Sequence, residues 1–511
     1  MNRGTIAIRN STVSLLTQIL TIVLQFATRS VFIRYLGVEL LGLSSTFASL
    51  LSTLSLAELG FQSAVVFNLY APLAAHDEDA ISKIVSIYRV IYQFIGILFI
   101  IASVCCLPLL KYVIKGIAVT NLVRCVFLIQ AANTASTYFL SYKRSVLYAD
   151  QQEYLSNLTD AAVNIAANVI QIVLTVWLRS YVVYLLVRLA QTIAGNLIVH
   201  RLCDKKYPYL RRVPVDRQIL TRIVHQVKDI FFGKLAGYVY SSTDSLVISA
   251  FVGTVQVGFL NNYVMIAGSI KTIANSITGP ITPIIGNLLA DTQKTQSQRS
   301  VFDSYTFVRF LLAGLTAAPI IVLSDCFIEM WIGAEYLMSR SVVILLAADL
   351  YIHIVHSSCC DYITGSGLFA FDRRVSMAGA GINLVTSVLL VNRLGISGVL
   401  IGTVISQLVF WICRSYGVFR YCFHAGWQAY LFYWGKHLYY LAVFFAVCIV
   451  QESIFTKLPI ASSLTRFVVG GVLCEVLFLI SALLLCGWMP EERSVLSFAA
   501  GFIHKLRRSC K

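Results

Sequence analysis

The stretch Ile33-Arg-Tyr-Leu-Gly37-Val-Glu-Leu-Leu-Gly42-Leu43 joins two apolar runs, and Gly37 marks the turn between them. The same arrangement returns at Ser249-Ala-Phe-Val-Gly253-Thr-Val-Gln-Val-Gly258-Phe259, where both glycines match at a shift of 216 residues. A third turn, at Trp177–Tyr181, falls on Arg393–Ser397 at the same shift. These matches predict an internal duplication in which equivalent turns join equivalent pairs of helices.

Apolar runs like the two beside Gly37 recur along the whole chain. The 511 residues are 58% hydrophobic and only 13% charged, with a mean hydropathy of +0.77. A soluble protein carries about 25% charged residues. The runs have the length of about 20 residues that a membrane-spanning helix needs, and they lack the alternating pattern of a membrane barrel. The sequence therefore predicts an all-α polytopic membrane protein.

The breaks between the apolar runs predict fourteen transmembrane helices. The duplication groups the first twelve into two six-helix bundles, which are parallel repeats related by an axis along the membrane normal. Two further helices follow at the C-terminus. The predicted limits of the fourteen helices are 11–35, 40–66, 86–110, 118–141, 156–177, 181–200, 229–252, 256–289, 302–324, 341–366, 374–391, 395–418, 434–451 and 463–487.

The predicted domains follow from this grouping. The N-terminal bundle is assigned to residues 1–203 and the C-terminal bundle to residues 229–425. Between them, residues 204–228 form a basic cytoplasmic linker, in which Val215–Lys228 is predicted to be a short amphipathic helix at the membrane surface. Residues 426–511 contain the two additional helices and a basic cytoplasmic tail.

Basic residues are concentrated in one of the two sets of alternating loops. This set includes Lys143, Arg144, the loop 201–228 and the C-terminal tail, whereas the opposite loops hold few basic residues. Because basic loops stay in the cytoplasm, the pattern predicts a multi-pass protein of the plasma or inner membrane with both termini cytoplasmic. The net charge of +16 thus comes mostly from the basic residues that determine the orientation of the protein in the membrane. Its dispersal over short loops argues against nucleic-acid binding.

Charged residues also occur inside the predicted spans. A charge at the bilayer centre costs roughly 2.5–3.5 kcal/mol, so such a residue is expected to face a wet, protein-lined interior. The predicted cavity cations are Arg29, Lys234, Lys271, Arg124, Arg188 and Arg309. The residues predicted to couple transport to an ion or to form a gate are Glu58, Asp244, Asp349 and His353.

Signatures of enzymes and metal sites are absent from the sequence. No Gly-Lys-Ser/Thr phosphate loop occurs, and the loops are too short to hold a catalytic domain, so we expect no catalytic residues. Asp349, His353, His356 and Cys360 share one helix face, but ligands spread over three turns of one helix cannot converge on one ion. We therefore predict a polar stripe with no bound metal and no organic cofactor.

Several motifs carry a resemblance to a known family. They are Asn10-Ser11, Arg29-Ser-Val-Phe-Ile-Arg-Tyr-Leu-Gly37-Val-Glu-Leu-Leu-Gly42, Leu54-Ser-Leu-Ala-Glu58-Leu-Gly60, Tyr70-Ala-Pro-Leu-Ala74, Lys143-Arg144, Ala149-Asp150-Gln151, Ser242-Thr-Asp244-Ser-Leu-Val-Ile-Ser249, Trp331-Ile-Gly333 and Gly395-Ile-Ser-Gly398-Val-Leu-Ile-Gly402. With them the chain resembles the lipid-linked oligosaccharide flippases of the MOP superfamily. These are polysaccharide-biosynthesis transporters of Wzx type, related to MurJ and MATE proteins. The resemblance spans the first twelve predicted helices.

The resemblance implies a flippase that works by alternating access around a cationic central cavity. Its cargo would be a polyprenyl-pyrophosphate-linked oligosaccharide, moved from the cytoplasmic to the outer leaflet for capsule, exopolysaccharide or O-antigen assembly. The guanidinium of Arg29 can fork across two phosphate oxygens, with Lys234 and Lys271 adding positive potential. Either H⁺ or Na⁺ is expected as the coupling ion, and a polysaccharide polymerase, glycosyltransferases and membrane lipid as partners.

Two other functions stay open on the sequence. A MATE-like cation-coupled multidrug exporter would share the fold, but it would favour a cavity rich in carboxylates and aromatic rings. An integral-membrane polymerase or acyltransferase of polysaccharide assembly would need a catalytic pair on an external loop. The basic residues in the spans and the short loops weigh against both alternatives.

Overall fold

The protein is all-α over the part of the chain that can be described. The computed structural model describes residues 3–58, 61–150, 152–214, 216–278, 285, 289, 295–457, 462–487, 489, 490 and 493. The side chains of residues 3–19 and 232–242 lie outside this description. Within these ranges the backbone forms helices and short turns and no strand, which confirms the predicted fold class.

The helices largely follow the predicted spans, with ends that shift by several residues. They are α1 Arg3–Leu36, α2 Val38–Leu54, α3 Phe61–Ala74, α4 Glu78–Cys106, α5 Leu110–Val113, α6 Asn121–Leu140, α7 Arg144–Ala149, α8 Glu153–Leu178, α9 Tyr181–Lys206, α10 Arg217–Phe251, α11 Thr254–Thr278, α12 Thr295–Trp331, α13 Arg340–Gly365, α14 Phe369–Leu394, α15 Ile396–Gly417, α16 Trp427–Thr456 and α17 Ser463–Cys486.

Nine helical segments in the described ranges are long and apolar enough to cross a membrane. They are Glu78–Val113, Leu155–Leu178, Tyr181–Lys206, Gln298–Trp331, Arg340–Gly365, Phe369–Leu394, Ile396–Cys422, Trp427–Thr456 and Ser463–Cys486. The other five predicted spans, 11–35, 40–66, 118–141, 229–252 and 256–289, are not among these nine segments. The prediction of fourteen transmembrane helices thus stays a prediction, while the multi-pass character is clear.

The second predicted span, 40–66, is not one continuous helix. The helix α2 ends at Leu54 and a 3₁₀ turn follows at Ser55–Glu58. Just before this point, the hydroxyls of Ser52, Thr53 and Ser55 donate hydrogen bonds to carbonyls three or four residues earlier. Such back-bonding competes with the helical ladder and bends helices. The interruption places Glu58 at a break in the helix rather than within a smooth span.

The segment Val215–Lys228 does not form a separate surface helix. Residues from Arg217 onward belong to α10, which continues without a break to Phe251. Asp216 caps its start by accepting hydrogen bonds from the backbone N–H groups of Gln218 and Ile219. No proline lies between Arg217 and Phe251, and charged residues such as Lys228 are good helix formers. The charged residues near position 228 therefore make this part of α10 polar, but they do not end the helix.

The two matched glycine pairs have the same structural roles in their two segments. Gly37 and Gly253 follow α1 and α10 with φ of 90° and 151°, a region that glycine enters without strain. Gly42 and Gly258 instead permit close approach. A Cβ at Gly42 would overlap the carbonyl oxygen of Thr254, and one at Gly258 would lie 2.6 Å from the carbonyl oxygen of Val38. The start of α2 and the start of α11 thus pack at backbone contact.

The chain divides into two compact units, Met1–Asn261 and Asn262–Lys511. In the first unit, α8 packs against α1 and α9, α6 packs against α4 and α9, and α10 packs against α2 and α3. In the second unit, α12 packs against α13 and α17, and α15 packs against α13 and α14. The seventh predicted span therefore packs with the first unit, although the sequence groups it with the C-terminal bundle.

Candidate functional site

A polar cavity of about 360 Å³ lies within the first unit. It is bordered by the break after α2, by the start of α3, and by α4, α6, α7, α8 and α9. Its lining is mostly hydroxyl, amide and charged side chains, although the helices that form it are largely apolar. The lining residues are Glu58, Gln62, Tyr88, Tyr92, Thr137, Ser141, Arg144, Ser145, Tyr148, Asp160, Val163, Asn164, Gln191, Thr192, Gly195 and Asn196.

Glu58 lies on the wall of this larger cavity and is held by α4. The Tyr92 hydroxyl donates a 2.6 Å hydrogen bond to Glu58 Oε1. Tyr92 is in turn fixed by Tyr88, whose ring centroid is 4.1 Å away, and both rings are buried. No Lys or Arg forms an ion pair with Glu58 in the described part of the chain. The carboxylate therefore brings an uncompensated negative charge to the cavity.

Arg144 and Asp160 form a bidentate ion pair on another wall of the larger cavity. The two guanidinium Nη atoms donate to the Asp160 carboxylate oxygens at 2.6 and 2.8 Å. Arg144 also donates to Ser156 Oγ at 2.8 Å and to Asn196 Oδ1 at 3.0 Å. Burial alone would lower the pKa of Arg144, but the hydrogen bonds and the charge of Asp160 outweigh burial and raise it. This guanidinium is therefore fully engaged, and its charge is balanced.

A second, smaller cavity of about 180 Å³ lies in the same unit and contains Arg188. Gln130 borders it and donates hydrogen bonds to the Tyr181 hydroxyl at 2.9 Å and to Ser44 Oγ at 3.5 Å. The side-chain oxygen of Asn133 is buried there and accepts no hydrogen bond from the described residues. Arg188 forms no ion pair with any carboxylate of the described chain. The smaller cavity thus has an uncompensated positive charge.

Arg29, the cation predicted on α1, lies in the same unit as Arg188. Its Nη2 donates a 2.9 Å hydrogen bond to the carbonyl oxygen of Asn261. Tyr184, on α9, interacts electrostatically with both Arg29 and Arg188. Both guanidinium groups are therefore close enough to Tyr184 to interact with it electrostatically, in a setting where a charge is screened less than in water.

The two cavities follow one another along the same helix faces. On α6, Gln130, Asn133 and Thr134 border the smaller cavity, and Thr137 and Ser141 border the larger one. These positions recur at spacings of three and four residues, so they form one polar stripe. On α9, Arg188 belongs to the smaller cavity, and the residues from Gln191 to Asn196 belong to the larger one.

These stripes were missed by reasoning that followed formal charges alone. Hydroxyl and amide side chains are uncharged, and a few of them hardly lower the mean hydropathy of a long apolar helix. The signal that could have revealed them is the helical spacing of polar residues within the predicted spans 118–141 and 181–200. A similar pattern continues on α2, where Ser44, Ser52 and Ser55 border the smaller cavity.

The structure places Lys271 and Asp349 together in the second unit. Lys271 Nζ lies 2.7 Å from Asp349 Oδ2, and Gln407 donates to the other carboxylate oxygen at 3.1 Å. The predicted coupling residue His353 lies one turn after Asp349 on α13, with its ring centroid 5.9 Å from that of His356. His356 itself contacts the guanidinium of Arg414 at 3.1 Å. The charge of Lys271 is therefore balanced by Asp349.

Arg309 does not line either of the two cavities described above. Its side chain is only 3% exposed and its Nη2 lies 2.7 Å from Asp361 Oδ2. Its Nε donates to the Tyr305 hydroxyl at 2.9 Å, and that hydroxyl donates to Asp361 at 2.6 Å. Its role as a cavity cation stays a prediction, although a neighbouring helix supplies a carboxylate that the sequence could not assign to it. Arg309 is part of a packed triad between α12 and α13.

The remaining predicted residues are placed less centrally. Arg124 is exposed in the first turn of α6 and donates a hydrogen bond to Asn121 Oδ1 at 3.4 Å. Asp244 is partly buried on α10 and has interaction partners of its own. Lys234 also belongs to α10, but its side chain is outside the described residues. The structure therefore leaves the roles predicted for these three residues as predictions.

Comparison with known families explains why such polar groups occur inside an apolar helical protein. The family model described as "Polysaccharide biosynthesis protein" matches residues 7–289, which is more than half of the chain. The chain belongs to the polysaccharide biosynthesis protein family. The matched region includes all the helices that border the two cavities. No curated protein sequence matches the chain.

Solved structures with the same fold are transporters of one superfamily. The lipid II flippase MurJ in an inward closed conformation is 12% identical, with a TM-score of 0.70, over 92% of this chain and 98% of that one. An inward-facing multidrug resistance MATE family transporter of the MOP superfamily is 14% identical, with a TM-score of 0.60, over 80% and 98%. The bent form of the Vibrio cholerae MATE transporter VcmN is 14% identical, with a TM-score of 0.51, over 80% and 95%.

These matches confirm the resemblance stated from the sequence motifs, at the level of family and fold. The polysaccharide biosynthesis family is shown by the match to its model, and the MurJ- and MATE-like fold by the structural superpositions. Sequence identities of 12–14% carry the fold alone, so the cargo has to be argued from the cavities of this chain.

Proposed function

We propose that the protein is a flippase for a polyprenyl-pyrophosphate-linked oligosaccharide, which it moves from the cytoplasmic to the outer leaflet for cell-surface polysaccharide assembly. It would act in the plasma or inner membrane, with both termini in the cytoplasm as the basic loops predict. Membership of the polysaccharide biosynthesis family supports the saccharide cargo. The fold shared with a structure named as a lipid II flippase supports a lipid-linked one.

The observation that carries this proposal is the guanidinium of Arg188, which borders an internal polar cavity and forms no ion pair with the described carboxylates. A cation that faces no carboxylate within the span of a membrane is costly, and its retention suits a ligand that supplies negative charge. A pyrophosphate does so, and an arginine can meet two of its oxygens in a fork. Arg29, which acts on the same Tyr184 hydroxyl, would add a second positive charge.

Alternating access would expose these cavities to one side of the membrane at a time, while the polyprenyl tail stays in the bilayer. We propose that downhill entry of H⁺ or Na⁺ drives the return step. Asp349 suits this role because an ion that binds its carboxylate has to compete with Lys271, 2.7 Å away. Binding would thus release Lys271 from its partner and alter the packing of α11 against α13.

Reconstituted flipping tests the role of Arg188. Proteoliposomes would hold the protein and a fluorescent polyprenyl-pyrophosphate oligosaccharide, and reduction of the dye in the outer leaflet would report leaflet exchange. Loss of one charge-assisted contact is worth about 1.5–3 kcal/mol, so we expect Arg188→Gln to slow exchange roughly ten- to a hundredfold. Arg393→Gln is the matched control, because Arg393 is exposed in the last turn of α14.

Two results would contradict the proposal. Exchange at the wild-type rate in Arg188→Gln would remove Arg188 from the path of the cargo. Absence of exchange in the wild-type protein, together with export of a fluorescent organic cation from the same liposomes, would favour the MATE-like alternative. The lipid and the cation are therefore tested in parallel, in the same preparation.

A further inference from the structure

We propose that the larger cavity of the first unit is a binding subsite for the saccharide head of the cargo, separate from the subsite that meets the phosphates. This assignment rests on the proposed function and divides the cargo between the two cavities. The saccharide would lie among the residues around Glu58 and Asn196, and the pyrophosphate would lie beside Arg188. Nothing in the family or fold comparison assigns either cavity to part of a cargo.

The first step of the argument is the hydrogen-bonding chemistry of the lining. A sugar hydroxyl both donates and accepts, and it is best matched by groups that can do the same. The larger cavity offers hydroxyls at Thr137, Ser141 and Tyr148 and amides at Asn164 and Gln191. The Thr137 hydroxyl already donates to the carbonyl oxygen of Thr134, and the Asn164 side-chain oxygen accepts from Asn168. A polyol or water can satisfy the hydrogen-bonding capacity that remains in the lining. The volume of about 360 Å³ is that of a small-molecule site.

The second step is charge. Arg144 is bound on several sides by Asp160, Ser156 and Asn196, so it has no free charge with which to attract a phosphate. Of the two carboxylate oxygens of Glu58, only Oε1 accepts a hydrogen bond from the described residues. The second carboxylate oxygen is thus an acceptor for sugar hydroxyls, and its charge repels phosphate. The larger cavity therefore suits a neutral polyol, whereas the smaller cavity suits an anion.

The third step is the distance between the two cavities. Arg188 and Gln191 are three residues apart on α9, which corresponds to about 4.5 Å of rise along the helix. A sugar joined directly to a phosphate spans a similar length, so one molecule can reach both. The phosphate would lie beside Arg188 while the first sugar contacts Gln191 and Thr192. The order of polar groups along α9 thus matches the order of chemical groups in the cargo.

Saturation-transfer NMR on the full-length protein in lipid nanodiscs tests the subsite without any transport step. The probes are N-acetyl-D-glucosamine, D-galactose and D-glucose, each added alone as a soluble sugar. We expect transfer to at least one of them in the wild-type protein. Both Glu58→Gln and Gln191→Leu should weaken binding of that sugar at least about fivefold, whereas the control Arg393→Gln, at an exposed position of α14, should leave it within twofold.

Each other result counts against the saccharide subsite. Absence of transfer to all three sugars, or transfer that survives both Glu58→Gln and Gln191→Leu, would overturn it. Displacement of the sugar by inorganic pyrophosphate at equal concentration would show that the larger cavity takes the phosphates instead. If Glu58→Gln fails to keep the wild-type melting temperature, Gln191→Leu alone decides, since Gln191 makes no described side-chain hydrogen bond. The result of the flipping assay does not depend on these NMR experiments, so failure of the saccharide subsite can be distinguished from failure of the proposed function.

Discussion

Two charged side chains of the first unit, Glu58 and Arg188, border cavities, whereas Lys271 and Arg309 in the second unit are closed into ion pairs. Glu58 and Arg188 each face a cavity without a partner of opposite charge among the described residues. Lys271 and Arg309, by contrast, lie 2.7 Å from Asp349 and Asp361. The same types of residue are thus used for two purposes. We infer that the unpaired charges serve the cargo and that the paired charges join helices, and that at Asp349 the coupling ion would compete with Lys271 for such a pair.

The second unit shows how such pairing joins helices. Arg414, on α15, lies 2.7 Å from Asp372 on α14 and also donates to Ser376. Lys436, on α16, lies 3.7 Å from Asp303 on α12. Replacing a buried ion pair by apolar residues is often harmless, but removal of one partner leaves a buried charge without compensation. This asymmetry makes the comparison between the units testable.

The largest effect on stability is expected at the packed triad of Arg309, Asp361 and Tyr305. The variant Arg309→Leu leaves the Asp361 carboxylate buried without its cation, which typically costs about 3–5 kcal/mol. The double variant Arg309→Leu with Asp361→Leu should recover most of that loss. Thermal unfolding in one detergent measures both. A double variant no more stable than the single one would show that Arg309 is not held by this pair.

A smaller effect is expected at Lys271 and Asp349. The side chains of these residues are 26% and 13% exposed, and Gln407 continues to donate to Asp349 when the lysine is gone. We expect Lys271→Met to lower the free energy of unfolding by about 1–3 kcal/mol. The same unfolding experiment provides the measurement. A loss of stability as large as that of Arg309→Leu would mean that partial exposure does not reduce the contribution of the Lys271–Asp349 pair to the free energy of unfolding.

The smallest effect is expected at an exposed ion pair near the start of α4. Arg211 and Asp79 lie within ion-pair distance, but both side chains are more than two-thirds exposed. Exposed pairs contribute about 0–1 kcal/mol, so Arg211→Ala should leave the melting temperature almost unchanged. A clear destabilisation would show that surface pairing matters as much as pairing inside the helical units.

The fold could be predicted from the sequence because its signals are local. Apolar runs give helices, and Gly37 and Gly253 mark turns through the backbone conformations that glycine tolerates. The break after α2 could not be predicted, because a single hydroxyl such as that of Ser55 is compatible with a helix until several act together. The continuity of α10 was missed because charge was taken as a helix boundary.

The candidate site could be predicted only in part. Intramembrane charges pointed to Arg188 and Glu58, since burial of a charge is costly wherever it occurs. Which charges are paired depends on contacts between helices distant in sequence, such as the contact between Arg309 and Asp361. The sequence alone does not show these contacts, so it cannot distinguish the paired charges from the unpaired ones. Stripes of neutral polar residues, such as the one from Gln130 to Ser141, can be recognised in the sequence, but only when the helical spacing of polar residues is considered as well as charge.

The most direct test of the account is a joint measurement of flipping rate and melting temperature in Arg188→Gln and Arg309→Gln. We predict that Arg188→Gln slows exchange per folded molecule at an unchanged melting temperature. Arg309→Gln should lower the melting temperature while the remaining folded molecules exchange lipid at nearly the wild-type rate. The opposite assignment, with Arg188→Gln unstable but active and Arg309→Gln stable but inactive, would contradict the division between unpaired transport charges and paired structural charges.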